Sequence, residues 1–362
     1  MQVAASKPDI QSHTALRGIA ALLVVAVHYR ITLSPALDVD QFTDFFSTGY
    51  MWVDLFFILS GYILFYVYST SPGASLQSAS FFFRARFARV YPLHVATLLF
   101  LAAWQVFTLL FSNASVHFGK WSTFWLNVVG IHAWGVLAAY DWNFPSWSIS
   151  AEFAAYLCFP IICIGILRAR RFTFSMLLLA VIARMIFVML VDQWNSWERL
   201  SVLRCLPMFF LGILLYRLRP LATEFDTQRM SALQIIAVTL IAMGLHYGWN
   251  AALLVLPFAL LVFSTQTDSG VVSCILRSRP LVALGLSSYS IYMLHVPVRY
   301  VVTMIWPKFV GIPFGLTTVN NAAGMTAVAA LITVGAASFS YKFFEIPARE
   351  YFLSASRLKR LG

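Results

Sequence analysis

The sequence predicts an all-α polytopic membrane protein with about ten transmembrane helices, a re-entrant or interfacial segment, and both termini in the cytoplasm. Three observations predict it. First, 60% of the 362 residues are hydrophobic and 11% are charged, whereas a soluble domain carries about 25% charged residues. The mean hydropathy of +0.79 agrees. Second, apolar stretches near the roughly 20 residues that a helix needs to cross a bilayer recur along the whole chain. Third, the excess of 25 Lys and Arg over 14 Asp and Glu, a net charge of +11, collects in alternate loops, as the positive-inside rule requires. A soluble enzyme, a disordered chain and a disulfide scaffold are excluded. Membrane lipids are expected neighbours and nucleic acid is not, because loop sidedness accounts for the basic excess.

The spans fall near 14–33, 49–68, 91–111, 146–167, 172–191, 200–216, 231–248, 250–266, 281–304 and 320–342. Lys7 and Asp9 precede the first, and no small-residue cleavage site follows a short apolar core, so it reads as an uncleaved span. The stretch 121–138 is short and interrupted by Asn127, Gly130, His132 and Gly135. Charge decides its treatment. Arg84, Arg86 and Arg89 precede the third span, and Arg168, Arg170 and Arg171 follow the fourth. Arg217, Arg219 and Arg229 form one later basic loop, and Arg277 and Arg279 another. Lys342, Arg349, Arg357, Lys359 and Arg360 follow the tenth span. With Lys7 and Arg17 these are 18 of the 25 basic residues, and they share one side only if 121–138 does not cross. The opposite side takes Asp38, Asp40, Asp44, Asp141, Asp192 and Glu198, with Trp194, Trp197 and Trp306 at interface depth. No repeat or second domain is visible, so residues 1–362 read as one membrane domain. Cys158, Cys163, Cys205 and Cys274 have neither zinc spacing nor a disulfide framework. They read as packing residues, and no metal site is expected.

Polar groups at membrane depth are costly and tend to line a cavity. In the first span Arg17 and His28 are 11 residues apart, which places both on one helix face about 16 Å apart along the axis. They read either as a snorkelling cation and a packed imidazole or as two parts of one path. Asp54 lies one turn into the second span, near Ser60 and Gly61; it faces water or partners a buried cation or His28. Arg86 and Arg89 share a helix face. They are a topology signal or a phosphate grip, since two guanidinium forks bind phosphate bidentately. In the fourth span Trp147 is followed by Ser148 and Glu152, which stand one above the other at i,i+4. Glu152 orients His28, positions a hydroxyl, or bonds Trp147 or Arg184. In the ninth span Tyr292 and His295 stand at i,i+3, as helix packing or as site residues.

Together these segments resemble the acyltransferase-3 family of integral-membrane acyltransferases. Arg17 and His28 are similar to its Arg-X10-His element, and Val53-Asp54-Leu55-Phe56-Phe57-Ile58-Leu59-Ser60-Gly61 to its second-span signature. Arg86-Phe87-Ala88-Arg89, followed by Val90-Tyr91-Pro92, resembles its Arg-X-X-Arg element. Pro145-Ser146-Trp147-Ser148-Ile149-Ser150-Ala151-Glu152-Phe153 resembles its Trp-Ser-(X)3-Glu stretch. Ser288 to His295 and Phe344-Glu345-Ile346-Pro347 resemble its C-terminal motifs. Six elements in order make the resemblance specific across most of the chain. Trp52 departs from it, standing where a small residue is common.

The resemblance implies a bacterial inner-membrane enzyme that transfers an acetyl group from cytoplasmic acetyl-CoA to a hydroxyl of a saccharide or lipid-linked saccharide, in association with polysaccharide assembly machinery. It also implies a stand-alone form without the soluble hydrolase-like domain of some relatives. Arg17, Arg86 and Arg89 would hold the donor's phosphates. His28 would be the base or acyl carrier, oriented by Glu152 or Asp54. Trp147, Ser148, Tyr292 and His295 would line the acceptor site. A non-carbohydrate acceptor stays open, as does a proton-coupled transporter, which also uses intramembrane charge but is expected to show internal symmetry.

Overall fold

The computed structural model describes residues 9–34, 36–68, 76–111, 116–168, 172–194, 200–312 and 317–358. Every regular element among them is helical. The main helices are α1 (Gln11–Leu33), α2 (Trp52–Tyr68), α3 (Leu76–Phe111), α4 (Trp121–Val129), α5 (Trp147–Arg168) and α6 (Thr173–Trp194). They continue with α7 (Ser201–Arg217), α8 (Thr227–His246), α9 (Ala251–Thr265), α10 (Arg279–Leu286), α11 (Ser288–Val310) and α12 (Val319–Ser340). A π-helical turn, Tyr341–Glu345, joins α12 to α13 (Ile346–Leu358).

A helix stands at each of the ten predicted spans, but not all ten qualify as spans by length and composition. Seven of the described helical segments are long and apolar enough to cross a membrane. The pair α10 and α11, bent by 67° at its break, passes the same test only when its two helices are counted together as one broken span. The remaining two predicted positions hold α7, with 17 residues, and α9, with 15, both short of the roughly 20 that a bilayer needs. The helix that holds the third predicted span begins well before residue 91. α3 runs for 36 residues through Pro92, about 54 Å at 1.5 Å per residue. Arg84, Arg86 and Arg89 therefore lie on the same continuous helix as the third predicted span, and Arg86 and Arg89 stand on a helix as their i,i+3 spacing suggests. The outer surface is apolar: Phe111, Ile161 and Leu331 are each more than 70% exposed, as side chains facing hydrocarbon should be.

Two features position the site. The first is a close crossing of α2 and α7. A Cβ on Gly61 would lie 1.9 Å from the Phe209 carbonyl oxygen, and one on Gly212 would lie 1.9 Å from that of Ile58. Only glycine admits backbones so near, the small-residue packing of membrane helices. Beside this crossing, Arg184 of α6 and Arg204 of α7 donate to the two oxygens of Asp54 on α2, at 2.7 and 2.8 Å.

The second is the segment 121–138. α4 ends at Gly130, whose φ of +76° turns the chain. The return is closed by the Trp142 amide, which donates to the Phe118 carbonyl at 2.6 Å, and by the Trp142 indole, which donates to Lys120. The segment thus begins and ends at one level, as a re-entrant element does. Its polar groups are buried in protein: His94 bonds the Asn127 carbonyl at 2.7 Å, and His132 bonds Ser146 at 3.1 Å. Irregular backbone at membrane depth is tolerated only with such cover.

Candidate active site

His28 of α1 and His295 of α11 meet. Nδ1 of His28 is 2.7 Å from Nε2 of His295, and the two rings are parallel within 2°. Nδ1 of His295 is 2.6 Å from the Tyr292 carbonyl oxygen. A carbonyl only accepts, so Nδ1 of His295 carries its proton. In a neutral ring the other nitrogen is then an acceptor. Nε2 of His295 thus accepts from Nδ1–H of His28, which leaves Nε2 of His28 with a free lone pair. The protons follow from the bonding network. Neighbours fix the frame: the Tyr29 hydroxyl donates to the His295 carbonyl at 2.8 Å, and Arg299 donates to the His28 carbonyl at 3.0 Å. The edge of Phe144 closes on the His28 ring at 5.1 Å.

A narrow cavity of about 80 Å³ lies between α1, α2, α3, α5 and α11; its lining includes Tyr292, one turn before His295, but neither histidine. Arg17, Arg86 and Arg89 all line it, with Ser60, Glu152 and Tyr292. Among the described residues, none of the three arginines has a carboxylate within 4.0 Å, and Nε of Arg86 is buried without a hydrogen-bond partner. Glu152 instead accepts from Ser60, and Glu345, in the π-helical turn, accepts from Ser290. Three guanidinium groups with no described carboxylate within 4.0 Å thus share one cavity with Glu152, and guanidinium forks are groups that bind phosphate or carboxylate bidentately. Tyr292 connects the two halves: its ring lines the cavity and its backbone carbonyl holds His295. The Tyr292 hydroxyl accepts from Ser148 at 2.8 Å and donates to the Pro145 carbonyl at 2.8 Å.

The structure therefore gathers Arg17, Arg86, Arg89, Glu152, Ser148 and Tyr292 at the cavity, while His28 and His295 pair outside its lining and are joined to it through Tyr292. Asp54 belongs elsewhere, with both oxygens bonded to Arg184 and Arg204. Trp147 lies on that side too, its ring 5.1 Å from the Arg204 guanidinium carbon and parallel to Tyr140. The ring that orients His28 is His295, where the sequence points to Glu152 or Asp54. Arg299 was not singled out in the sequence, and only its place one turn after His295 on the same helix could have suggested it. No group of three or more His, Cys, Asp or Glu side chains able to hold a metal occurs among the described residues.

A family described as "Acyltransferase domain" matches residues 11–341. The chain is 32% identical over 162 residues to "Acyltransferase MdmB" of Streptomyces mycarofaciens, covering 42% of this chain and 38% of that protein. It is 38% identical over 95 residues to "Protein 2 in picA locus" of Rhizobium radiobacter, covering 25% of this chain and 43% of that protein. The chain thus spans less than half the length of these curated relatives. No solved structure matches it.

Proposed function

We propose that this chain, which belongs to the acyltransferase-3 family, is an acyltransferase that moves an acetyl group from acetyl-CoA to a hydroxyl of a saccharide acceptor at a bacterial inner membrane. The observation that carries this reading is the proton order in the Tyr292–His295–His28 relay. It leaves one basic nitrogen, Nε2 of His28, in a pair that Tyr292 links to the cavity lined by three arginines.

Acetyl-CoA supplies an activated thioester acyl group. Its phosphates suit Arg17, Arg86 and Arg89, which lack ion partners among the described residues. His28 Nε2 takes the proton of the acceptor hydroxyl as its oxygen bonds to the acyl carbon. The carbon–sulfur bond breaks, and the same imidazole returns the proton to the leaving thiolate. His295 holds His28 in the competent tautomer, the orienting role of a third group in triad-like sites. Ser148 and Tyr292 are placed to meet the acceptor. Asp54 is structural in this scheme, as its two arginine bonds imply. The cavity is narrow at about 80 Å³, so donor entry requires its walls to part.

Binding of coenzyme A to the purified protein tests the donor half. Arg86→Gln/Arg89→Gln should weaken it at least tenfold, the scale of losing charge-assisted bonds to phosphate. Unchanged affinity would reduce the pair to a topology signal.

A further inference from the structure

A second concavity, about 570 Å³ in volume, opens on the side of the bundle. Its walls are α3, the turn after α4, α5 and Phe352 of α13. The lining is aromatic and aliphatic, with Phe83, Phe87, Trp134 and Leu157 prominent, and its two charged residues are Arg84 and Arg86. Arg84 is exposed and has no ion partner among the described residues. Arg86 and Tyr156 line this groove on one side and the central cavity on the other. They are the partition between the two.

We propose that this groove is a binding site for one anionic phospholipid, its phosphate on Arg84 and an acyl chain along the aromatic wall beneath. Charge complementarity and depth both favour such a lipid. Arg84 lies two residues before Arg86, and Tyr91 lies seven residues further along α3 than Arg84, about 10 Å at 1.5 Å per residue. Cationic and apolar walls are thus ordered as a lipid's head and chain are ordered. The basic end of the bundle is the end that meets the anionic leaflet under the positive-inside rule. A water-soluble ligand would leave the aromatic wall unsatisfied, and a neutral lipid would leave Arg84 without a counter-charge. Seated there, the lipid forms the outer wall of the partition at Arg86 and Tyr156. The inference does not depend on the identity of the acyl donor.

The test is native mass spectrometry of the full chain in detergent, titrated with phosphatidylglycerol or phosphatidylcholine of identical acyl chains. The wild type should retain phosphatidylglycerol roughly fivefold better, the scale of one basic side chain at an anionic surface. Arg84→Gln should erase that preference. Leu157→Trp and Val129→Trp, at positions 54% and 61% exposed, should reduce retention of both lipids by filling the groove. Size-exclusion profiles and thermal unfolding report whether each variant is folded. Equal retention of the two lipids by the wild type, or an undiminished preference in Arg84→Gln, would overturn the proposal and leave the groove with unselective boundary lipid.

Discussion

The proton that the Tyr292 carbonyl holds on Nδ1 of His295 decides what His28 can do. With it in place, His28 donates through Nδ1 and keeps a lone pair on Nε2, which in the proposed mechanism takes the acceptor's proton. His295→Ala should therefore lower kcat for acyl transfer by about 10- to 100-fold, a part of the general-base contribution. It should leave coenzyme A affinity unchanged, because His295 is absent from the cationic cavity. Equal losses in kcat and donor affinity would show that the variant had disturbed packing instead. Asp54 makes a contrasting case. Asp54→Asn leaves Arg184 and Arg204 buried without a counter-charge, and breaking such a buried pair costs about 3–5 kcal/mol. Thermal unfolding should reveal that loss, even where transfer persists at low temperature. The Arg17–His28 spacing was legible in the sequence because both residues ride one helix of fixed pitch. The His28–His295 contact was not, since 267 residues separate the partners and only the packing of α1 on α11 joins them. The same holds for Asp54 with Arg184 and Arg204.

At the scale of elements, the crossing of α2 and α7 is the tightest constraint near the site. Gly61→Ala would put a methyl 1.9 Å from the Phe209 carbonyl oxygen, so the helices must separate. Overpacking of this kind costs about 1–3 kcal/mol, and a lowered Tm of the purified protein should report it. An unchanged Tm would mean that the two helices pack less closely than described. Of the elements, 121–138 was legible through charge alone. Basic clusters on either side of it agree in sidedness only if it does not cross, and the Phe118–Trp142 closure shows the chain returning. The length of α3 was not legible, because Pro92 and three arginines read as a boundary. Lone signals at residues 84–92 are local, whereas a helix of 36 residues is held by its neighbours. Nor did apolar length separate α7 and α9 from full spans, since hydropathy does not mark where a helix stops.

Across the whole molecule, the net charge of +11 resolves into two uses. Most basic residues lie where the positive-inside rule predicts the cytoplasmic loops. Arg17, Arg86 and Arg89 converge on one cavity, drawn from α1 and α3, and Arg84 stands beside the lateral groove. The family's six motifs lie far apart in the chain, yet five of them contribute residues to the cavity or to the histidine pair. The sixth, at Glu345, reaches Ser290 on α11, the helix that carries Tyr292 and His295. That convergence is the strongest link between sequence and site. It leaves His28 as the point on which the account depends. The direct measurement is transfer of labelled acetyl from acetyl-CoA to a lipid-linked oligosaccharide by the purified protein, wild type against His28→Ala. The account predicts that the substitution lowers transfer by about 100-fold or more, as removal of a general base does, while coenzyme A still binds. Transfer by His28→Ala at the wild-type rate would contradict it.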